Sequence, residues 1–399
     1  MRIDISILIQ YNKLYDFNEV LTMELHSDII QYINHHSNEA FSLLTTLAQI
    51  PAPSHHENQR AQFCAKWLTE QGAEGVYIDD ALNVIYPIGC DGDNPIAVFM
   101  AHSDVVFPDT TPLPLYIADN RIYCPGVGDD TANVVALLMA AKYIAQHRIV
   151  PTDMGVLLVV NACEEGLGNL KGSRKVLEAY KGRVAEFITF DGTAGQIVNH
   201  AVGSRRYKVE VTTEGGHSYS KFGNTNAIAV LASMIDKLYA VKVPPLGKTT
   251  YNVGTIAGGT SVNTIAQHAQ MLYEYRSDSR EAMDIMEDHF QNILADYRSN
   301  EYSVSVTLMG DRPCSGKIDQ AQEVNLMTRA ADAIKQYYGY DPVFRSGSTD
   351  CNIPLSQGIP AVCVGCVEGE GAHTREEYVE IPSLLPGLKV AFSLILHHF

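Results

Sequence analysis

Two textures alternate along the chain. The stretch through Val98–Met100, GVLLVVNA (155–162) and FITFD (187–191) are apolar runs with little polar interruption. Such runs mark strands buried on both faces of a sheet. Between them lie segments of helical spacing: FSLLTTLAQI (41–50), TANVVALLMAAKYIAQH (131–147) and VNLMTRAADAIKQYY (324–338). The pattern predicts one or two helices over 22–50, ended by Pro51 and Pro53. Ser54 with Glu57 reads as a capping box opening a helix to about Gln71. An edge strand over 72–78, a strand over 83–88, a turn at GCDGDNP and a short helix over 173–181 follow. A loop over 342–350, a core strand at IPAVCVG and a last helix with Pro386 in or near its first turn complete the series.

From Gly203 the texture changes. RRYKVEVTTEG alternates as a half-exposed antiparallel strand does. A helix over 225–238, strands at TYNVGTIAGG and AQMLYEYRSD, a helix over 279–297 and a strand at YSVSVTLMG follow. The order β-α-β-β-α-β is that of a ferredoxin-like sandwich. It is expected over 204–312, inserted between two parts of one α/β domain, 1–203 and 313–399.

Composition narrows the function. The 399 residues are 46% hydrophobic and 19% charged, as in an ordinary globular protein, and long enough for two domains. A formal charge of -17 argues against a nucleic-acid partner or an anionic membrane surface. Eight cysteines at this size form no dense disulfide framework, and Cys363 with Cys366 reads as two reduced core thiols. MRIDISILIQYNKLYDF carries Asp4 early, with no long apolar core or cleavage signature, so neither a signal peptide nor a membrane span is expected. A cytoplasmic setting is the expectation.

Candidate chemistry sits at the ends of the apolar strands. His102 and Asp104 share one side of an extended segment, and Asp104 is placed to orient the imidazole. Asp129 and Asp130 open a helix after two glycines. Alone, they would serve a helix dipole equally well. Glu164 and Glu165 follow the second strand and Asp191 the third. Ligand sites gather at the carboxyl ends of strands in open α/β sheets. Imidazoles and carboxylates so placed suit a pair of divalent cations, with Asp129 as the shared ligand. One cation takes His102, Asp129 and Asp191; the other takes Asp129, Glu165 and His373. Glu164, left over, can accept a proton from water and pass it to a leaving amine.

The strings AHSDVV, GVGDDTAN, ACEEGLG, FDG, GGHS, GGTSVNTIA, YRSD, SGSTD and GAHTREEY, in this order from about residue 50 onward, resemble the M20 family of metallopeptidases. The resemblance implies an α/β fold: a mixed-sheet zinc-exopeptidase catalytic domain with an inserted ferredoxin-like α+β lid that usually dimerises. It implies two Zn2+ per chain, cobalt or manganese suiting the same donors. His102, Asp129, Glu165, Asp191 and His373 would be the ligands, Glu164 the base and acid, and Asp104 the partner of His102. A cis peptide is expected at Asp129–Asp130. His217 matches a lid histidine that stabilises the oxyanion, reaching a partner's site in dimeric relatives. Arg276 matches a lid arginine that grips a substrate carboxylate. Asn263 would bond substrate backbone, and Gly347 and Ser348 would line the substrate loop, with Arg345 close by. Thr131 stands where a lysine is common and Asn133 where glycine is usual. TREEY resembles the peptidase T-like branch, which implies removal of N-terminal residues from di- or tripeptides. A carboxypeptidase or N-acyl amino-acid deacylase shares the same core, and a metal-free binding protein would lack part of the cage.

Overall fold

A computed structural model describes residues 23–298 and 302–399. The expectation drawn from MRIDISILIQYNKLYDF concerns residues outside that range. Twelve strands carry the architecture: β1 Tyr77–Ile78, β2 Val84–Ile88, β3 Ile96–His102, β4 Gly155–Asn161, β5 Val184–Phe190, β6 Gln196–Ala201, β7 Gly203–Thr212, β8 Thr249–Gly258, β9 His268–Ser277, β10 Ser303–Arg312, β11 Val343–Gly347 and β12 Ala361–Val364. Eight of them form a mixed sheet in the order β1-β2-β4-β3-β5-β12-β6-β11.

β3 and β4 are buried at every position, as their unbroken apolar runs require. β3 pairs in parallel with β4 on one side and β5 on the other. Three adjacent parallel strands therefore end at one edge of the sheet, and the candidate acids and His102 follow directly. Helices cover the faces. Ala132–His147 is buried along almost its whole length and packs against the last helix, Leu384–Leu396, in whose first turn Pro386 sits. The region 22–50 contains two helices, Ser27–His35 and Ser37–Ala48.

Between Gly203 and Arg312 a second sheet runs β8-β9-β7-β10, all antiparallel. Helices Ala227–Tyr239 and Arg280–Arg298 pack on one face, with Val209, Val211, Met271, Tyr273 and Phe290 in a core of their own. This is the ferredoxin-like order, inserted within the α/β domain. Among the described residues no helix is long and apolar enough to cross a membrane.

Two expectations are corrected. Ser54 and Glu57 form no capping box: helix Asn58–Glu70 starts without a side-chain cap, and both residues point to the site described below. The segment 342–350 is not all loop, because β11 pairs in parallel with β6 at the sheet's end. An edge strand meets one neighbour and exposes much of its surface, so VFRSG lacks the apolar run that marks a central strand.

Candidate metal centre and active site

The three strand ends bring the predicted residues together. His102 closes β3, and its Nε2 lies 3.1 Å from Oδ1 of Asp129. Oδ2 of the same aspartate lies 3.1 Å from Nε2 of His373. That imidazole is also 3.1 Å from Oε1 of Glu165. The two oxygens of Asp129 thus face two different imidazoles, as a shared ligand must. Donor atoms of His102, Asp129 and Glu165 fall within 4.8 Å of one another, as do those of His102, Asp130 and Asp191. Asp130 is already committed elsewhere. Its Oδ2 accepts from the His102 backbone N–H at 2.9 Å, and its Oδ1 from Asn133 Nδ2 at 2.6 Å. It serves as a backbone anchor for His102. The Asp129–Asp130 peptide is cis, as the resemblance implied.

The approach of the Asp129 segment depends on Gly126. Its φ is +76°, and a Cβ there would lie 2.3 Å from Cγ1 of Val105. The segment is then pinned by a residue four positions past His373. Glu377 accepts the N–H groups of Gly126, Gly128 and Asp129, each at 2.8 Å. One buried carboxylate therefore holds the loop of Asp129 to the loop of His373.

Asp104 does more than orient the ring. Its carbonyl oxygen is 3.0 Å from His102 Nδ1 and its carboxylate 3.5 Å. The carboxylate also accepts the Glu164 N–H at 2.9 Å, the Glu165 N–H at 2.9 Å and the Ser54 hydroxyl at 2.6 Å. Fully buried, it sets the imidazole and both glutamates in one frame. Glu57 stands behind it, accepting from the Cys163 N–H and thiol.

Other positioning residues carried no local signal in the sequence. Arg60 is fully buried and donates to the carbonyls of Ser103, Ile50 and Ala48 and to Thr131 Oγ1. Thr131, where a lysine is common, thus meets a guanidinium brought from another helix. Asn133 links Asp130 to the Cys366 N–H and the Gly192 carbonyl. Asp350 of SGSTD is buried beside the cluster and accepts from Asn161 at 2.6 Å. Arg312 reaches Glu164 at 3.1 Å.

Charge is crowded here. Burial and then the Asp129 carboxylate push Asp191 up to about 7. Burial holds Glu164 well above the ordinary carboxylate range, against the pull of Arg312. Hydrogen bonds to Asp129 and Glu165 push His373 up to about 10. Burial works to lower His102, and the charge of Asp130 and bonds to Asp104 and Asp129 outweigh it. Any divalent cation bound by a cluster that gathers protons in this way would displace them. The donor set, imidazole and carboxylate alone, fits zinc and its neighbours.

The lid residues stand apart. His217 is exposed, and its Nδ1 accepts from the N–H groups of Tyr219 and Ser220. The Asn263 carbonyl accepts the Ser218 N–H, and His217 pairs with Thr264 across an antiparallel ladder, so His217 and Asn263 lie on neighbouring segments. Arg276 forks onto Glu274 at 3.1 Å twice. Among the described residues no hydrogen bond or ion pair joins His217, Asn263 or Arg276 to the cluster. Gly347 ends β11 against Val198, and Ser348 accepts from Arg312 at 3.2 Å.

A model of peptidase family M20/M25/M40 matches residues 98–397. Acetylornithine deacetylase of Myxococcus xanthus is 27% identical over 331 residues, covering 77% of this chain and 83% of that protein. The fold resembles that of aminopeptidase PepT from Bacillus cereus, with a TM-score of 0.67 at 23% identity over 90% of this chain and 98% of that one. A tripeptidase from Staphylococcus aureus superposes with a TM-score of 0.72 at 20% identity, covering 90% of this chain and 99% of that one.

Proposed function

The chain belongs to peptidase family M20/M25/M40, whose members are metal-dependent peptidases and related amide hydrolases, and from that premise we propose that it is a di-zinc aminopeptidase acting on di- or tripeptides. The observation that carries the metal reading is the double use of Asp129, with an imidazole 3.1 Å from each oxygen. His102, Asp129 and Asp191 would hold one ion; Asp129, Glu165 and His373 would hold the other. Bound cations supply Lewis acidity toward the scissile carbonyl and a lowered pKa for attacking water.

The chain's own residues do the rest. Glu164 takes the proton of the attacking water and delivers it to the departing amine. Asp104 keeps the His102 ring and the Glu164 backbone fixed while that proton moves. Burial of both excludes competing water. Lid closure brings His217 to the developing oxyanion and Arg276 to a substrate carboxylate. Asn263 meets the peptide backbone, and Gly347 and Ser348 border the cleft.

Likeness to PepT and to a tripeptidase supports the aminopeptidase reading. Likeness to acetylornithine deacetylase favours an N-acyl amino-acid deacylase as the second reading. A panel of di- and tripeptides with free and acetylated N-termini separates them. The first reading expects turnover only with the free amine; equal or faster turnover of blocked substrates would overturn it. Tyr219 at 90% exposure, Phe222 at 91% and Val262 beside the His217 turn support a homodimer through the lid, with His217 acting across it. Sedimentation of active enzyme as a monomer would remove that arrangement. All eight cysteines are free, which supports a reducing cytoplasmic setting.

A further inference from the structure

Arg312 is the last residue of β10, where the chain leaves the lid. It lies in register with Ser204, one residue past the start of β7, where the chain enters. The two crossings therefore run side by side, and Arg312 sits on them. Among the described residues its side chain nevertheless makes no bond to the lid. Nη1 donates to Glu164 Oε1 at 3.1 Å and to Ser348 Oγ at 3.2 Å, and Nη2 donates to the Glu164 carbonyl. Nε is buried with no partner among the described residues, so the bonds that hold the group are those to the catalytic domain. The residue is 5% exposed.

We propose that Arg312 is a positioning residue: from the lid crossing it fixes the carboxylate of Glu164 by one oxygen and leaves the other free for the reacting water. The inference rests on the reading of Glu164 as the proton carrier. A planar guanidinium suits the task, because it spans side chain, carbonyl and Ser348 at once, which a lysine ammonium does not. Among the described residues Oε2 of Glu164 accepts no hydrogen bond, while Oε1 is taken. The frame built by Asp104 sets the backbone of Glu164; Arg312 sets its side chain. Because Arg312 belongs to the strand that returns from the lid, the orientation of the base is tied to the lid's seating.

The test compares Arg312→Ala, Arg312→Gln and Arg312→Lys with Glu164→Asp and the Glu164→Asp/Arg312→Ala double variant. Bound metal is measured throughout, and a dipeptide is the substrate. Arg312→Ala and Arg312→Gln are expected to lower kcat by about 10²-fold, with KM within about threefold and metal content unchanged. Added guanidinium should restore part of the kcat of Arg312→Ala, and Arg312→Lys should recover little. In the Glu164→Asp background the alanine should cost less than about threefold more, because the two residues act as one unit. A rise in KM with kcat kept would overturn the proposal in favour of direct substrate contact. Multiplicative losses in the double variant, or loss of bound metal with loss of kcat, would also overturn it. Wild-type rates in Glu164→Asp and in Glu164→Ala would instead remove the proton-carrier reading itself.

Discussion

The strand ends and the lid treat their polar residues in opposite ways. At the strand ends, His102, Asp104, Glu164 and Glu165 are buried, and each bonds to a residue 27 or more positions away. On the lid, His217 is bonded to its own turn and Arg276 to a glutamate two residues away. Long-range bonds fix geometry as soon as the fold forms; local bonds leave a residue free to travel with its element. On the proposed mechanism, the first region is set up for chemistry in advance and the second completes it by moving.

The widest break in that contrast comes from removing metal. Chelation should abolish turnover and zinc should restore it, while the lid core keeps its far-UV circular dichroism. Glu164→Ala comes next: kcat should fall about 10²–10⁴-fold with metal retained, as measured by atomic emission. His217→Ala probes the lid and should cost about 10²–10³-fold in kcat, with metal affinity and melting temperature unmoved. A loss of bound metal in that variant would show that the two regions are not separate in function. Arg276→Ala should act on binding, raising KM about 10- to 100-fold for substrates with a free carboxylate and little for their amides.

The smallest effect is one of pH on the metal-free protein. Asp191 moves from 3.8 to about 7 on folding and Glu377 from 4.5 to about 7, burial leading in both. An acid whose pKa rises on folding favours the folded state at low pH, and that help is lost as pH climbs through the folded value. The melting temperature of metal-free protein should therefore be higher at pH 5 than at pH 8. Added zinc should narrow the gap. Equal melting temperatures without metal would count against the crowding of charge at the strand ends.

Much of this was written locally. β3, β4 and β5 announce themselves as apolar runs, and the acids and imidazole beyond them stand out against that background. The lid was legible because its strands alternate and its helices are amphipathic. Arg60, Glu57, Arg312 and Asp350 were not legible, since nothing beside a single charged residue tells whether it ends in water or under a sheet. Ser54 and Glu57 show the limit well. Their spacing is that of a helix cap, and the partners that won, Asp104 and Cys163, lie 50 and 106 residues further on. β11 was missed for a related reason: an edge strand bears no two-sided apolar signature.

The three N–H groups gathered by Glu377 have a consequence for how the enzyme is made. The loop of Asp129 is synthesised early, yet its clasp Glu377 and the imidazole of His373 come only after β12, close to the end of translation. A nascent chain can build β3, β4 and the whole lid on the ribosome without owning a finished cation cage. On the proposed ligand sets, the half of the centre built on His373 would be the last to close, and a chain cut short before His373 should lack it.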